Sequence, residues 1–494
     1  MTYTLGISAG YHDGALSVVD NNGNIIFAAH SERYSKVKND PGISPDLVHE
    51  ISHLDINAVA YYERPWMHNL QQWRSSQKKW TPWTTKQCVA QYLPRDFLEG
   101  RDIKYLNFPH HLSHAAAGFQ TSEFNSAAVV VIDAIGELDT ISIYRAWYDR
   151  GHARYKRVWR QSYPHSIGLF YSAITARVGL RPMEEEYITM GMAAYGSTEN
   201  YCYLRDRFVR DVDTVEFREN LHIGISHSDF TWITNENMAA SAQLITEELV
   251  MSVMLRAKQL TGISNLVYMG GVALNCVANS RLGKIFNQIW IMPNPGDAGS
   301  SLGAAALAYG GRLTWRDAFL GHDIPGEYPV QPVIQALTDT GIAAVASGRA
   351  EFGPRALGNR SLLADPRGTD IKDRVNDIKR RQRFRPFAPV ILEEHAEEYF
   401  DMPRAWSINR YMQSVGRCRR PDLYPAICHV DGTSRVQTVP QDGSGIRRLL
   451  ETWHAITGCP MLLNTSLNIR GEPMVNDRTD ADRWQRRYQL PVFS

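Results

Sequence analysis

Six cysteines in 494 residues, scattered and without a C-x-x-C pair, are too few and too dispersed for a disulfide framework or a cysteine zinc site. An excess of either charge is missing too: 53 Lys and Arg stand against 52 Asp and Glu, a formal net charge of +1. That balance excludes a whole-molecule field of the kind that holds nucleic acid non-specifically, while a local basic groove stays open. No window approaches 18 uninterrupted apolar residues, and the N-terminus MTYTLGISAG has neither a basic n-region nor a long apolar h-region. A soluble protein of the cytoplasm, with no membrane partner, is expected. Internal repeats and low-complexity tracts are absent as well.

What is present reads as an α/β protein. The first forty residues alternate strands and turns: YTLGISA, the turn YHDG, ALSVVD, the hairpin signal NNGN, then IIFAAHSE. AAVVVIDAIGE predicts a buried strand running into an acidic turn, and ISIYRAWYDRGHARYKRVWRQS predicts further paired strands. Helical spacing dominates Ser166 to Ala194 and AASAQLITEELVMSVMLRAKQL. NLVYMGGVALNCVAN and IWIMPNPGDAGSSLGAAALAYG each read as strand, glycine turn and helix, the plan of a fold whose site lies at strand ends. The length calls for more than one core. The Pro- and Gly-rich stretch Gly321 to Val333 is the best linker, dividing the chain into domains 1–335 and 336–494.

Three constellations can carry chemistry. In NFPHHLSHAAAGF, His110 and His114 at i and i+4 share a helix face and can share a metal; the alternative is a cap and a structural histidine. Asp133 and Asp297 lie on strand-end turns, and two imidazoles with two carboxylates suit Fe(II), Mn(II) or Zn(II) better than calcium. The turns DAIGE, MGGVALN and GDAGSSLGAA let backbone approach a ligand, and helix N-termini offer free N–H groups to phosphate. EFGPRALGNRSLLADPR and IKRRQRFRPFAP interleave Arg with Gly, Pro, Phe and Leu, so several guanidiniums are expected to be partly buried and to need anions. A nucleic-acid groove would give the same Arg count. SRVQT and LLNTSLN add polar groups on short apolar strands.

In this order HHLSHAAAGF, YPHSIGLFYSAIT, GGVALN, GDAGSSLGAA, EFGPRALGNRSLLADPR, FRPFAPVIL and LLNTSLNIRGEP resemble the O-carbamoyltransferases of the nodulation and antibiotic-tailoring type, across nearly the whole chain. The resemblance implies an N-terminal domain of the actin/Hsp70/sugar-kinase superfold, similar to the tRNA threonylcarbamoyl transferase (Kae1-like). It implies a C-terminal α+β domain similar to the adenylate-forming partner of that pathway (YrdC-like). The C-terminal domain would make carbamoyl-adenylate from carbamoyl phosphate and ATP, with Mg2+ accompanying the ATP. An acceptor hydroxyl would then attack the intermediate in the N-terminal domain, giving a carbamate ester and AMP. By the same resemblance His110, His114, Asp133 and Asp297 match iron ligands, and His12 in GYHDGA matches the catalytic histidine, which can act as general base. Lys38 in SKVKND matches a basic residue at the transfer site, and Gly270, Gly271 and Asn275 match the adenylate-binding turn. Arg355, Lys379, Arg385, Arg435, Asn464 and Ser466 fall where the family binds ATP and carbamoyl phosphate. There are two departures. Ile188 in EYITMG stands where many relatives have Lys, removing a charge near the transfer site, and the chain stops at RRYQLPVFS, where the family's last element is shortened or absent.

AYYERPWMHNLQQW and EEEYITMGMAAYG look like the phage-type branch, which acts on 5-hydroxymethylcytosine in DNA. Trp66, Trp73, Trp80 and Trp83 interleave with Arg74, Lys78 and Lys79, a pattern that can stack a base and hold backbone phosphates, or can pack as a lid. The expected acceptor is therefore a hydroxymethylated nucleobase in DNA or as nucleotide, with a sugar or another small-molecule hydroxyl as the alternative. A homodimer, and the host cytoplasm if the gene is a phage's, go with that expectation. A sugar-kinase-like phosphotransferase would leave GPRALGNRS and LLNTSLN unexplained. A non-catalytic DNA-binding protein would leave the ordered His/Asp set without a purpose.

Overall fold

The computed structural model describes residues 2–67, 69 and 82–494. In its first sheet β1 (Tyr3–Ser8), β2 (Ala15–Asp20) and β3 (Ile25–His30) form an antiparallel meander. β4 (Ile56–Tyr61) and β5 (Lys104–Asn107) continue from β1 in parallel, giving the order β3-β2-β1-β4-β5. The β2–β3 turn closes because the Asp20 carboxylate accepts from the backbone N–H of Asn22 and Asn24 while Gly23 takes φ +81°. Helix α1 (His110–Thr121) leads to a second sheet. There β6 (Ser126–Gly136), β7 (Asp139–Asp149) and β8 (His152–Ser162) form the meander. β9 (Asn265–Met269) and β10 (Gln288–Trp290) run parallel beyond β6, in the order β8-β7-β6-β9-β10. The two sheets are one design used twice, a duplication that the sequence does not reveal. Such a pair of like sheets agrees with the N-terminal fold that the sequence resemblance implies.

Between these sheets lie α1 and α5 (Asp297–Tyr309), packed on each other; α5 rests on β1, β2 and β4, and α1 on β6 and β9. So close an approach demands small residues, which is why α1 carries HAAAG and α5 carries AGSSLGAAA. A Cβ on Gly303 would stand 1.8 Å from the Ser113 carbonyl oxygen, and one on Gly6 would stand 1.9 Å from that of Ser301. Helix α2 (Ile167–Arg177) and the 27-residue α4 (Asn235–Thr261) share a buried core with β6 and β7, and the short α3 (Glu186–Met192) lies beside them. By length and mean hydropathy, 1.3 over 18 residues, α4 could cross a membrane, although Glu247, Glu248 and Arg256 interrupt its apolar run. Its 72% burial in that window makes it a core helix.

The expected linker is ordered. It runs from β11 (Phe319–Ile324) into α6 (Val330–Thr340), so the expected division after residue 335 falls inside a helix whose Val333, Ile334 and Leu337 enter the C-terminal core. The C-terminal sheet has six strands: β12 (Ile342–Ala346), β14 (Arg360–Ala364), β15 (Ala388–Leu392), β16 (Gln437–Val439), β17 (Met461–Ser466) and β18 (Val492–Phe493). Their order is β16-β15-β17-β14-β12-β18, with β15/β16 and β12/β18 parallel and the rest antiparallel. β13 (Gly348–Glu351) pairs back with β11. Helices α6 and α8 (Gly445–Thr457) pack together on this sheet, while α7 (Ile371–Lys379) carries Ile371 and Val375 into the same core. The arginine run of this unit splits in two. Arg360, fully buried, donates to the carbonyls of Asn476, Ser347, Gly348, Asn359 and His322, which makes it a structural strut. Arg355 faces a cavity instead.

Candidate active site

Helix α1 presents His110 and His114 on one face, β6 brings Asp133 near its end, and Asp297 opens α5. The two Nε2 atoms stand 3.1 Å apart. Asp133 Oδ2 lies 3.4 and 3.1 Å from His110 and His114, and Asp297 Oδ1 lies 3.4 and 3.2 Å from them. Donors about 2.0–2.2 Å from one cation stand roughly 2.9–3.5 Å from each other, so the set fits a divalent transition metal. The outer nitrogens are oriented for it: His114 Nδ1 donates to the Pro295 carbonyl at 3.0 Å, and His110 Nδ1 faces the buried Glu63 carboxylate at 3.6 Å. Burial opposes charge on His110, but Asp297, Asp133 and Glu63 outweigh it and hold its pKa well above the usual value. Asp133 is likewise desolvated, yet the two imidazoles hold it well below the carboxylate range. Two nitrogens facing each other at 3.1 Å cannot both point protons inward; a cation removes that conflict. His111 turns away and bonds Ser142 Oγ at 2.8 Å. Gly136 is required here, since a Cβ would fall 2.5 Å from the His110 ring.

His12 reaches the same cluster. Its Nε2 lies 3.7 Å from Asp297 Oδ2 and its Nδ1 lies 3.0 Å from Asp13 Oδ2. Sequence reading missed Asp13, whose φ of +55° folds its side chain back onto its neighbour. Desolvation lowers the His12 pKa, but Asp13, Asp297 and Asp133 raise it to about 9. Lys38 also lines the cavity, with its Nζ held 2.8 Å from both oxygens of Glu32. Of the glycine turn, Gly271 and Asn275 line the wall. Gly270 instead takes φ +91° to pass Ile132, whose carbonyl a Cβ would meet at 2.2 Å. The Asn275 side chain is committed twice, bonding Gln243 and capping Ala278 N–H.

Across the cavity Arg355, Lys379, Arg385 and Arg435 converge with Arg381, which sequence reading did not single out. None of the five forms an ion pair among the described residues. Burial and then Arg435 lower the Arg355 pKa to about 9; burial, Arg381 and Arg385 push Lys379 well below the usual lysine value. Lys379 Nζ donates to Asn468 Oδ1 at 2.6 Å and to Ser466 Oγ at 3.1 Å, and also touches the Ser466 carbonyl. Asn464 donates to Ala356 and Gln437, which leaves its buried Oδ1 unpartnered. Lys379 is buried and the four arginines are half-buried, and guanidiniums without a carboxylate partner suit an anion. One cavity of about 510 Å³ joins it to His12, Asp133 and Asp297, within the size range of ligand sites. Ile188 does not face that cavity: it is fully buried, and its neighbours Tyr187 and Met190 line the wall. Trp66 and Trp83 are exposed; Trp73, Arg74, Lys78, Lys79 and Trp80 lie outside the described residues.

Residues 56–306 match the family described as carbamoyltransferase N-terminus, and residues 334–493 match carbamoyltransferase C-terminus. The chain belongs to the carbamoyltransferase family. Among its relatives, nodulation protein NolNO of Sinorhizobium fredii is 31% identical over 95% of this chain and 76% of its own length. Nodulation protein NolO of Bradyrhizobium diazoefficiens is 33% identical over 75% of each chain. An uncharacterised protein of Synechocystis is 31% identical over 98% of this chain and 94% of its own length. Among solved structures, full-length HypF in a phosphate- and nucleotide-bound form has a TM-score of 0.40 at 14% identity, covering 62% of this chain and 55% of that one. In this carbamoyltransferase the N-terminal match contains all four metal-type ligands, and the C-terminal match contains all five unpaired cations.

Proposed function

We propose that this carbamoyltransferase works in two steps within the cavity that joins these two groups. ATP and carbamoyl phosphate, with water, become carbamoyl-adenylate, pyrophosphate and phosphate at the cationic wall; an acceptor hydroxyl then takes the carbamoyl group and releases AMP. The observation that carries this reading is the single cavity with five unpaired cations at one end and the His/Asp cluster at the other. Arg355, Arg385 and Arg435 hold phosphate oxygens, Lys379 sits with Asn464 and Ser466 beside them, and Gly271 and Asn275 border the adenylate on its way.

His110, His114, Asp133 and Asp297 would hold Fe(II) or another divalent transition metal, which when bound polarises oxygen ligands as a Lewis acid. With Asp133 and Asp297 neutralised in that way, Asp13 alone remains to raise the His12 pKa. The imidazole then returns toward neutrality and can take the acceptor's proton at Nε2 while Asp13 orients Nδ1. Lys38, neutralised by Glu32, positions the acceptor by hydrogen bonding rather than by charge.

The acceptor we assign is the hydroxymethyl group of 5-hydroxymethylcytosine, in DNA or as nucleotide, with exposed Trp66 and Trp83 as stacking surface. The test is mass spectrometry after incubation with ATP, carbamoyl phosphate and Fe(II), offering hydroxymethylated DNA, the free nucleotide, sugars and aminoglycosides. Carbamoyl addition to the DNA or nucleotide supports the assignment. Addition only to a small molecule replaces the acceptor, and no pyrophosphate release with any of them refutes the two-step scheme.

A further inference from the structure

The segment from Glu185 to Tyr195, α3 and the turn after it, belongs to the N-terminal unit but grips the cationic wall of the C-terminal one. Glu185 pairs with Arg470 at 2.8 Å, and the Arg470 backbone N–H donates to the Lys379 carbonyl at 3.0 Å. Tyr187 lays its ring against the Arg385 guanidinium, 4.8 Å from the ring centre. The Tyr195 hydroxyl donates to the Phe384 carbonyl at 2.9 Å, and its ring meets His429 edge-on at 5.3 Å. Ile188 and Thr189, both fully buried, anchor the segment from below.

The choice of an aromatic ring for Arg385 has a physical reason. A carboxylate would orient the guanidinium but neutralise it. A ring face holds its plane and leaves the whole charge for a phosphate. We propose that Glu185 to Tyr195 is a strap that gives the cationic wall its binding shape, with Tyr187 as the positioning residue for Arg385. ATP and carbamoyl phosphate are then held tightly only while the two units are docked. This rests on the reading that the wall binds their phosphates.

The experiment compares full-length wild type, Tyr187→Phe and Tyr187→Leu in carbamoyl phosphate-dependent pyrophosphate release. Tyr187 is 41% exposed, so neither change disturbs a core. Tyr187→Leu is expected to raise KM for ATP or carbamoyl phosphate about tenfold, with kcat within about twofold. Tyr187→Phe keeps the ring and stays within about threefold of wild type. Equal losses in both variants, a fall in kcat at unchanged KM, or no change in Tyr187→Leu each overturns the strap. Hydrogen exchange provides a readout independent of turnover: residues 185–195 gain protection when ATP and carbamoyl phosphate are added together, and unchanged exchange overturns the coupling. Absence of pyrophosphate release by the wild type itself removes the two-step scheme and the strap with it. Release by the wild type with wild-type behaviour of Tyr187→Leu removes the strap alone.

Discussion

Asp13→Asn isolates one hydrogen bond. Asp13 sits at φ +55°, a region that Gly, Asn and Asp enter far more readily than other residues, so asparagine keeps the backbone while removing the charge. The bond lost is the one from His12 Nδ1 to Asp13 Oδ2 at 3.0 Å. A hydrogen bond to a charged group contributes about 1.5–3 kcal/mol, which at about 1.4 kcal/mol per decade makes transfer roughly 10–150-fold slower. Asparagine can also offer its amide N–H to Nδ1. That leaves the proton on Nε2, the nitrogen needed as base. Pyrophosphate release depends on the cations across the cavity and should stay within about twofold of wild type. Single-turnover samples divided between a pyrophosphate assay and mass spectrometry of the acceptor measure both steps at once. Equal slowing of the two, or transfer at the wild-type rate, refutes the His12–Asp13 assignment. Asp13→Ala adds backbone strain and is expected to be less stable than Asp13→Asn, which thermal unfolding would show.

Other outcomes follow from the same geometry. After reconstitution with Fe(II), His114→Ala should hold far less metal than wild type by elemental analysis; unchanged content would undo the ligand set. Arg355→Ala and Lys379→Ala should each lower carbamoyl phosphate-dependent pyrophosphate release by about 100-fold or more with metal content intact, and normal release by either removes it from the phosphate wall. Acid stability reports on Glu394, which the hydrogen-bonded Arg447 holds at a pKa of about 2. Because the folded value is depressed, its contribution is full above about pH 4.5 and is lost as pH falls toward 2. Since the Glu394 side chain is 38% exposed, solvent screening reduces that contribution to about 1 kcal/mol. The stability difference between wild type and Glu394→Gln in urea should shrink from pH 6 to pH 3, and a constant difference would contradict the pairing.

Much of this was legible because it is local. Short apolar, β-rich runs bounded by turn signals made β1, β2 and β3 visible, and a spacing of four put His110 and His114 on one helix face. Asp133 and Asp297 stood out as carboxylates at the ends of apolar runs. Asp13 was hidden because only a left-handed backbone turns it onto its neighbour. Arg381, Asn468 and His429 were hidden because their convergence spans long stretches of chain, which no pattern within a window records. Arg360 and Arg355, five residues apart in one motif, look equivalent in sequence. Five carbonyls claim the first, and among the described residues none claims the second. Ile188 drew notice as a departure in EYITMG, whereas helical rotation turns it into the core and brings its neighbour Tyr187 to the wall. The duplicated sheets share strand order and direction, which sequence periodicity does not encode.

The unpaired cations make a further demand on stability. Arg435 is desolvated and repels Arg355, and its Nε has no partner among the described residues. Removing a desolvated charge that has no counter-charge relieves its solvation cost. Arg435→Met is therefore expected to raise the urea midpoint of the ligand-free protein while lowering pyrophosphate release. ATP and carbamoyl phosphate, by binding only the folded state, should stabilise wild type by about 2.7 kcal/mol at a hundred times Kd, and should stabilise Arg435→Met far less. The two signs belong together, because a residue kept for packing would lower stability when changed and leave the ligand effect alone. If Arg435→Met is less stable than wild type and still gains as much from the ligands, the cationic wall is a structural feature and the phosphates bind elsewhere.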